Sequence, residues 1–223
     1  MTTNERVVST TRARAIETNK VIRNTYTLLA MTLAFSALMA GVAMVTNAPP
    51  LHFAIVLVGF FGLLMLTNAL RNSVWGLAAV FALTGFMGYT LGPMLSFYLT
   101  AVPNGSQIVM TAFGGTAAIF IGLSAYALTT RKDFSFMGGF LFAGILVAFL
   151  AGLGALVFQM PGMMLGVSAM FILLMSALIL YQTSALIHGG ETNYITATVT
   201  LFVAIYNLFT SLLHLLMAFS GDN

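Results

Sequence analysis

The sequence predicts an all-α integral membrane protein: a bundle of seven transmembrane helices with the last helix at its centre. Three observations carry that prediction. Of the 223 residues, 60% are hydrophobic and only 6% are charged, against roughly 25% charged in soluble domains. So few charges cannot wet a water-facing surface. No Asp, Glu, Lys or Arg falls inside any of seven long apolar stretches, and all eight Lys and Arg sit in the N-terminal tail or in alternate gaps.

A hydrocarbon core about 30 Å thick needs roughly 20 apolar residues per helix. The spans read from the sequence are Thr25–Thr46, Leu51–Leu70, Val74–Leu99, Gln107–Leu128, Phe134–Phe158, Gly162–Ile187 and Tyr194–Phe219. They divide the chain into a polar tail (1–24), a seven-helix domain (25–219) and a short C-terminal end (220–223). The gaps are short, so consecutive helices run antiparallel. None is long enough to hold a separate soluble domain.

The tail lacks the pattern of a cleaved signal, a short basic stub followed by an apolar core and a small-residue site. The first span is therefore expected to stay. The tail itself is polar enough to be partly disordered, with Ser9–Arg23 as a short surface helix. It carries Arg6, Arg12, Arg14, Lys20 and Arg23; the second gap has Arg71 and the fourth has Arg131 and Lys132. With seven spans, all these cations fall on one side. The positive-inside rule puts that side, and the N-terminus, in the cytoplasm, and the C-terminus outside. The net charge of +3 then reports topology, and no nucleic-acid partner is needed to explain it.

Within the third span, Gly85, Gly88 and Gly92 precede Pro93. Small residues at this spacing let two helix backbones approach closely, and the proline is expected to kink the helix. On the seventh span, Asn193, Thr200, Asn207 and His214 recur every seven residues, with Ala197, Ala204 and Ser211 beside them. Lipid penalises such a stripe, so it is expected to face the bundle interior. That makes the last helix central.

Several chemistries are excluded. There is no cysteine, hence no disulfide, thiolate ligand or cysteine nucleophile. His52, His188 and His214 lie at separate helix ends with no HExxH or close acidic pair, so no catalytic metal is expected. Gly122-Leu123-Ser124-Ala125 approaches an intramembrane serine box but lacks a histidine partner, and no span holds an aspartate. The chain is thus read as a non-enzyme with no cofactor. Asp133 and Glu191, at the basic side, are the best acidic candidates for an ion such as calcium; each reads first as a solvated loop charge. The segment His188-Gly189-Gly190-Glu191-Thr192-Asn193 reads as a tight hairpin. Its glycines cap one helix, Thr192 or Asn193 caps the next, and a pH-sensitive His188–Glu191 contact would close it.

Four stretches together resemble the Bax inhibitor-1 family, most closely its bacterial YccA branch. They are Lys20-Val21-Ile22-Arg23-Asn24-Thr25-Tyr26, Thr84-Gly85-Phe86-Met87-Gly88-Tyr89-Thr90-Leu91-Gly92-Pro93, Ala125-Tyr126-Ala127-Leu128-Thr129-Thr130-Arg131-Lys132-Asp133-Phe134-Ser135-Phe136 and Ile187-His188-Gly189-Gly190-Glu191-Thr192-Asn193-Tyr194-Ile195. The resemblance runs from about Lys20 to Phe219. It implies a seven-helix bundle with a central last helix, in the bacterial inner membrane, with a periplasmic C-terminus. It also implies a partner, the ATP-dependent membrane protease FtsH, which the branch binds and slows; the tail would be the part engaged. Other family members are pH-sensitive calcium leak channels gated by two aspartates that share a proton. Here the sixth-helix position is Gln182, within Tyr181-Gln182-Thr183, and the seventh-helix position is Ala204. Neither side chain titrates near neutral pH, so protease modulation is the reading preferred and a cation leak the alternative.

Overall fold

A computed structural model of the chain describes residues 3–220, with side chains from residue 16 onward. Seven α-helices follow in order: α1 Thr3–Val45, α2 Phe53–Leu70, α3 Trp75–Ala101, α4 Gly105–Thr130, α5 Gly138–Val157, α6 Pro161–His188 and α7 Tyr194–Ser220. A single 3-10 turn, Ser135–Met137, leads into α5. Each of the seven contains a segment long and apolar enough to cross a membrane, and six begin and end within a few residues of the predicted spans.

The exception is α1. The tail is not separate from the first span but continues its helix back to Thr3. Ala, Glu, Lys and Arg suit a helix, and neither Gly nor Pro interrupts the sequence before Gly41. The apolar span supplies the nucleus and the tail extends it, which is the cheap step in helix formation. At 1.5 Å per residue the 43 residues of α1 reach about 65 Å, roughly twice the hydrocarbon thickness. Met1, Thr2 and the last three residues of the predicted C-terminal end (221–223) lie outside the described residues.

Helix α7 packs against α1, α2, α3, α4 and α6, and α5 alone does not touch it. The last helix is therefore central. Its buried positions run nearly all round its circumference, from Ile195 and Ala197 through Phe202 and Ala204 to Leu208 and Leu213. Helices α2 and α5 lie outermost. Thr67 is the one buried residue of α2, and α5 buries Leu141, Ala148 and Ala155. Those three recur every seven residues and make a single seam, turned toward α6, the helix α5 packs on. The apolar faces left over belong to lipid.

The most extensive pairing is α1 with α3, and glycine makes it possible. A Cβ on Gly88 would run into the Ser36 carbonyl oxygen, and one on Gly92 would lie 2.7 Å from the Ala40 oxygen and 2.5 Å from the Ala43 Cβ. Here backbone rides on backbone, as the small-residue spacing predicts. Helix α3 runs on without a break through Pro93.

Candidate functional site at the basic end of the bundle

The N-terminal end of α1's apolar part, the α2–α3 loop, the α4–α5 loop and the α6–α7 loop gather at one end of the bundle. Every Lys and Arg from Lys20 onward is at that end: Lys20, Arg23, Arg71, Arg131 and Lys132. Three hydrogen-bonded arrangements hold its loops.

The first is the hairpin between α6 and α7. Gly189 takes the left-handed conformation (φ 75°) that closes α6, and its N–H donates to the Ala185 carbonyl. Gly190 N–H and Glu191 N–H donate to the same oxygen at 2.8 and 3.1 Å. Asn193 caps α7, its Oδ1 accepting from Ile195 N–H at 2.9 Å and Thr196 N–H at 3.1 Å. Glu191 does not meet His188: its Oε1 accepts from Asn193 N–H at 2.7 Å. The predicted His188–Glu191 contact is thus replaced by a bond inside the hairpin, because the turn aims the carboxylate forward at the free amides of α7.

The second arrangement ties α2–α3 to α7. Asn193 Nδ2 donates to the Arg71 carbonyl at 3.1 Å and to Asn72 Oδ1 at 2.8 Å. One side chain thereby caps a helix and anchors a distant loop.

The third is a latch on the α4–α5 loop, centred on Ser184 of α6. Its Oγ accepts from Phe134 N–H at 3.0 Å and donates to the Lys132 carbonyl at 3.2 Å. His188, one turn on, donates from Nδ1 to the Ser184 carbonyl at 2.9 Å. Arg131 closes α4 in the left-handed conformation (φ 50°), its N–H bonding Ala127 O. Asp133 Oδ1 accepts from Ser135 N–H at 2.8 Å. That bond, with a smaller contribution from nearby His188, holds the Asp133 carboxyl below its ordinary range.

Between α1 and the α6–α7 hairpin lies an open cleft of about 760 Å³, lined among others by Glu17, Lys20, Asn24, His188, Glu191 and Tyr194. One turn deeper the interior is polar. Thr198 Oγ1 shares its one proton between the Tyr194 carbonyl of its own helix at 2.7 Å and the Thr25 carbonyl at 3.2 Å, and Tyr26 OH and Thr183 Oγ1 are 3.2 Å apart. Gln182 is buried at 6% exposure, and its Nε2 has no partner. Ala204 is fully buried on α7. Counted along their helices, Gln182 lies about 9 Å and Ala204 about 15 Å from the basic end.

The predicted polar stripe of α7 does not line one site. Asn193 is in the hairpin. Thr200 Oγ1 and Asn207 Nδ2 donate back to the Thr196 and Val203 carbonyls of their own helix, at 3.0 and 2.8 Å. The adjacent Ala197, Ala204 and Ser211 are the buried ones, because small side chains admit the neighbouring helices. Within the span His214 reaches another helix, its Nδ1 2.8 Å from Ser168 Oγ on α6. Ser168 Oγ donates to Met164 O at 3.0 Å, so the ring supplies the proton of the pair and is not a base for that hydroxyl. Ser124 has no histidine partner. Among the described residues no three His, Cys, Asp or Glu side chains are placed to share a metal.

Sequence reasoning passed over Ser184, Ser168 and Thr25. Ser184 and His188 carry a faint signal, being one turn apart at a helix end; the other two have none.

The model for "Inhibitor of apoptosis-promoting Bax1" matches residues 18–221. An uncharacterised protein of Pseudomonas aeruginosa is 56% identical over 93% of both chains. "Modulator of FtsH protease YccA" of Escherichia coli strain K12 is 48% identical, covering 98% of this chain and 100% of that one. The Escherichia coli O6:H1 relative, called "Inner membrane protein YccA", has the same identity and coverage.

Proposed function

The chain belongs to the Bax inhibitor-1 family, and on that premise we propose that it is a non-enzymatic regulator that binds and slows an FtsH-type ATP-dependent membrane protease. It is a multi-pass inner membrane protein. The observation that carries the functional reading is the 48% identity over 98% of the chain to a protein named a modulator of FtsH. Nothing in the spans argues for chemistry of its own, since they hold no carboxylate and the one interior Ser–His pair is committed to a helix carbonyl.

In this reading the basic end faces the cytoplasm and the tail, residues 1–24, is the segment the protease engages. Helix α1 gives that engagement a mechanical outcome. Force applied to the tail is delivered along one continuous helix, Thr3–Val45, to the Gly85–Gly88–Gly92 seam. There, withdrawal of α1 must break the backbone contacts at Gly88 and Gly92 together with the packing of Phe35 on Gly85. The protease stays occupied while extraction stalls. Gln182 and Ala204 give the alternative, a proton-gated calcium leak, no titrating pair, and among the described residues neither Asp133 nor Glu191 belongs to a group of three His, Asp or Glu side chains placed to share an ion.

Deletion of residues 2–18 is the test. The deleted form should still insert, yet should no longer co-purify with the protease or prolong the half-life of another membrane substrate. A deleted form that still does both rules the tail out as the handle. Alkaline phosphatase fused after residue 223 should be active and green fluorescent protein dark; the reverse pattern overturns the orientation.

A further inference from the structure

Among the described residues, four buried side-chain polar atoms lack a hydrogen-bond partner: Thr25 Oγ1, Ser124 Oγ, Gln182 Nε2 and Thr196 Oγ1. Chance would scatter them. Instead all four lie within about two helical turns of the basic end. Thr25, Ser124 and Gln182 are at least nine-tenths buried, with exposures of 0, 5 and 6%.

Two of these residues, Thr25 and Gln182, lie one turn inward from residues that line the open cleft. Residues four apart on a helix share a face. Below Val21, which lines the cleft, is Thr25. Below Leu186 and Ile187 are Gln182 and Thr183, and below Tyr194 is Thr198. Each of the three lining helices thus repeats the same step from cleft wall to buried polar side chain. Two bonds tie the deeper tier together, Thr198 to Thr25 and Tyr26 to Thr183. Helix α4 joins through Tyr26, whose ring lies 6.2 Å from that of Phe120, one turn from Ser124.

We propose that the cleft continues one turn inward as a closed-ended, water-filled vestibule, whose base is formed by Thr25, Ser124 and Gln182. Buried polar groups in a low-dielectric interior carry a desolvation penalty unless they are paired, and an ordered water with two to four polar partners removes it. Gln182 Nε2 supplies a donor, and the two hydroxyls supply donors and acceptors. The ligand is water, because the base carries no charge: there is no carboxylate to hold a cation and no basic side chain to hold an anion. Beyond it, Leu201, Ala204 and Leu208 are fully buried and close the path with apolar packing.

The chain has no cysteine, so single cysteines report directly. A thiol reacts with a charged methanethiosulfonate only as the thiolate, and thiolates form only where water reaches. Thr25→Cys, Ser124→Cys and Gln182→Cys are to be compared with Ala204→Cys in sealed vesicles, with a trimethylammonium-ethyl reagent added from either face. The first three should react at least about tenfold faster than the fourth, and only from the basic face. Adding Gln182→Leu to Ser124→Cys should slow its modification. On the unaltered chain, the Gln182 side-chain amide should exchange magnetisation with water in an NMR experiment. Rates equal to that of Ala204→Cys, equal reaction from the opposite face, indifference of Ser124→Cys to Gln182→Leu, or a silent Gln182 amide would each overturn the vestibule.

Discussion

Gly88→Ala tests the α1–α3 seam most directly. The added methyl would enter the space of the Ser36 carbonyl oxygen and lie 2.7 Å from Ser36 Oγ. A carbonyl in a helix cannot swing aside, so α1 and α3 must separate by about 1 Å, and gaps of that size forfeit a quarter to a half of each contact's attraction. Overpacking of this kind costs about 1–3 kcal/mol. Against it stands the gain of about 1 kcal/mol from replacing Gly with Ala inside a helix. Gly114→Ala isolates the two effects, because a Cβ there meets nothing within 4 Å and keeps only the gain. The difference between the variants should be about 1–3 kcal/mol in favour of Gly114→Ala. SDS-titration midpoints in dodecylmaltoside micelles measure it, supported by survival of the monodisperse peak after heating. A Gly88→Ala protein as stable as Gly114→Ala would mean that the helices are not in backbone contact, and the proposed resistance to extraction would lose its basis.

Other expectations follow from single contacts. In a double-mutant cycle, Ser168→Ala and His214→Phe should show a coupling of about 0.6–1.7 kcal/mol, the range of hydrogen bonds between membrane helices; strict additivity would remove the pair from the structure. Asp133 has a lowered pKa in the folded protein. Its contribution is therefore present above the ordinary carboxylate range and disappears as pH falls through the lowered value. Asp133→Ala should lower the melting temperature slightly at neutral pH and converge on the unaltered protein in acid, so that the acid limb of the profile flattens. The single tryptophan, Trp75, begins α3 at the basic end and is 71% exposed. Such a residue belongs to the headgroup region, so its emission should be quenched both by aqueous acrylamide and by shallow lipid-borne quenchers. Sensitivity to bilayer-centre quenchers alone would contradict this register.

The number of helices and most of their ends were legible because lipid imposes one rule on every span: no charge inside, and backbone bonds satisfied within the helix. The caps at Gly189 and Asn193 were legible for a similar reason, since they depend on residues adjacent in sequence. The extent of α1 was not. Polarity marks where a chain leaves the bilayer, not where its helix stops, and the stretch before Thr25 contains no helix breaker. The heptad stripe on α7 identified the right helix as central but not its rotation. Thr200 and Asn207 satisfy themselves on their own carbonyls, and the alanines beside them take the inside. Contacts such as Ser184 with the 132–134 backbone, or Ser168 with His214, join residues 46 to 52 positions apart. A serine looks the same in sequence whether it latches a loop or bonds back to its own turn.

The position of α7 also bears on how the molecule is made. Ribosomes deliver helices to the translocon in chain order, yet the one that occupies the hub is delivered last. Until translation ends, the five helices that pack on it lack their common partner, and α1 must wait for α3, since it makes no contact with α2. A nascent chain stalled between α6 and Tyr194 is a ring without its axle, with the Thr25 carbonyl deprived of the Thr198 hydroxyl. Biogenesis of this protein is therefore committed late, and premature release yields a product without its central helix.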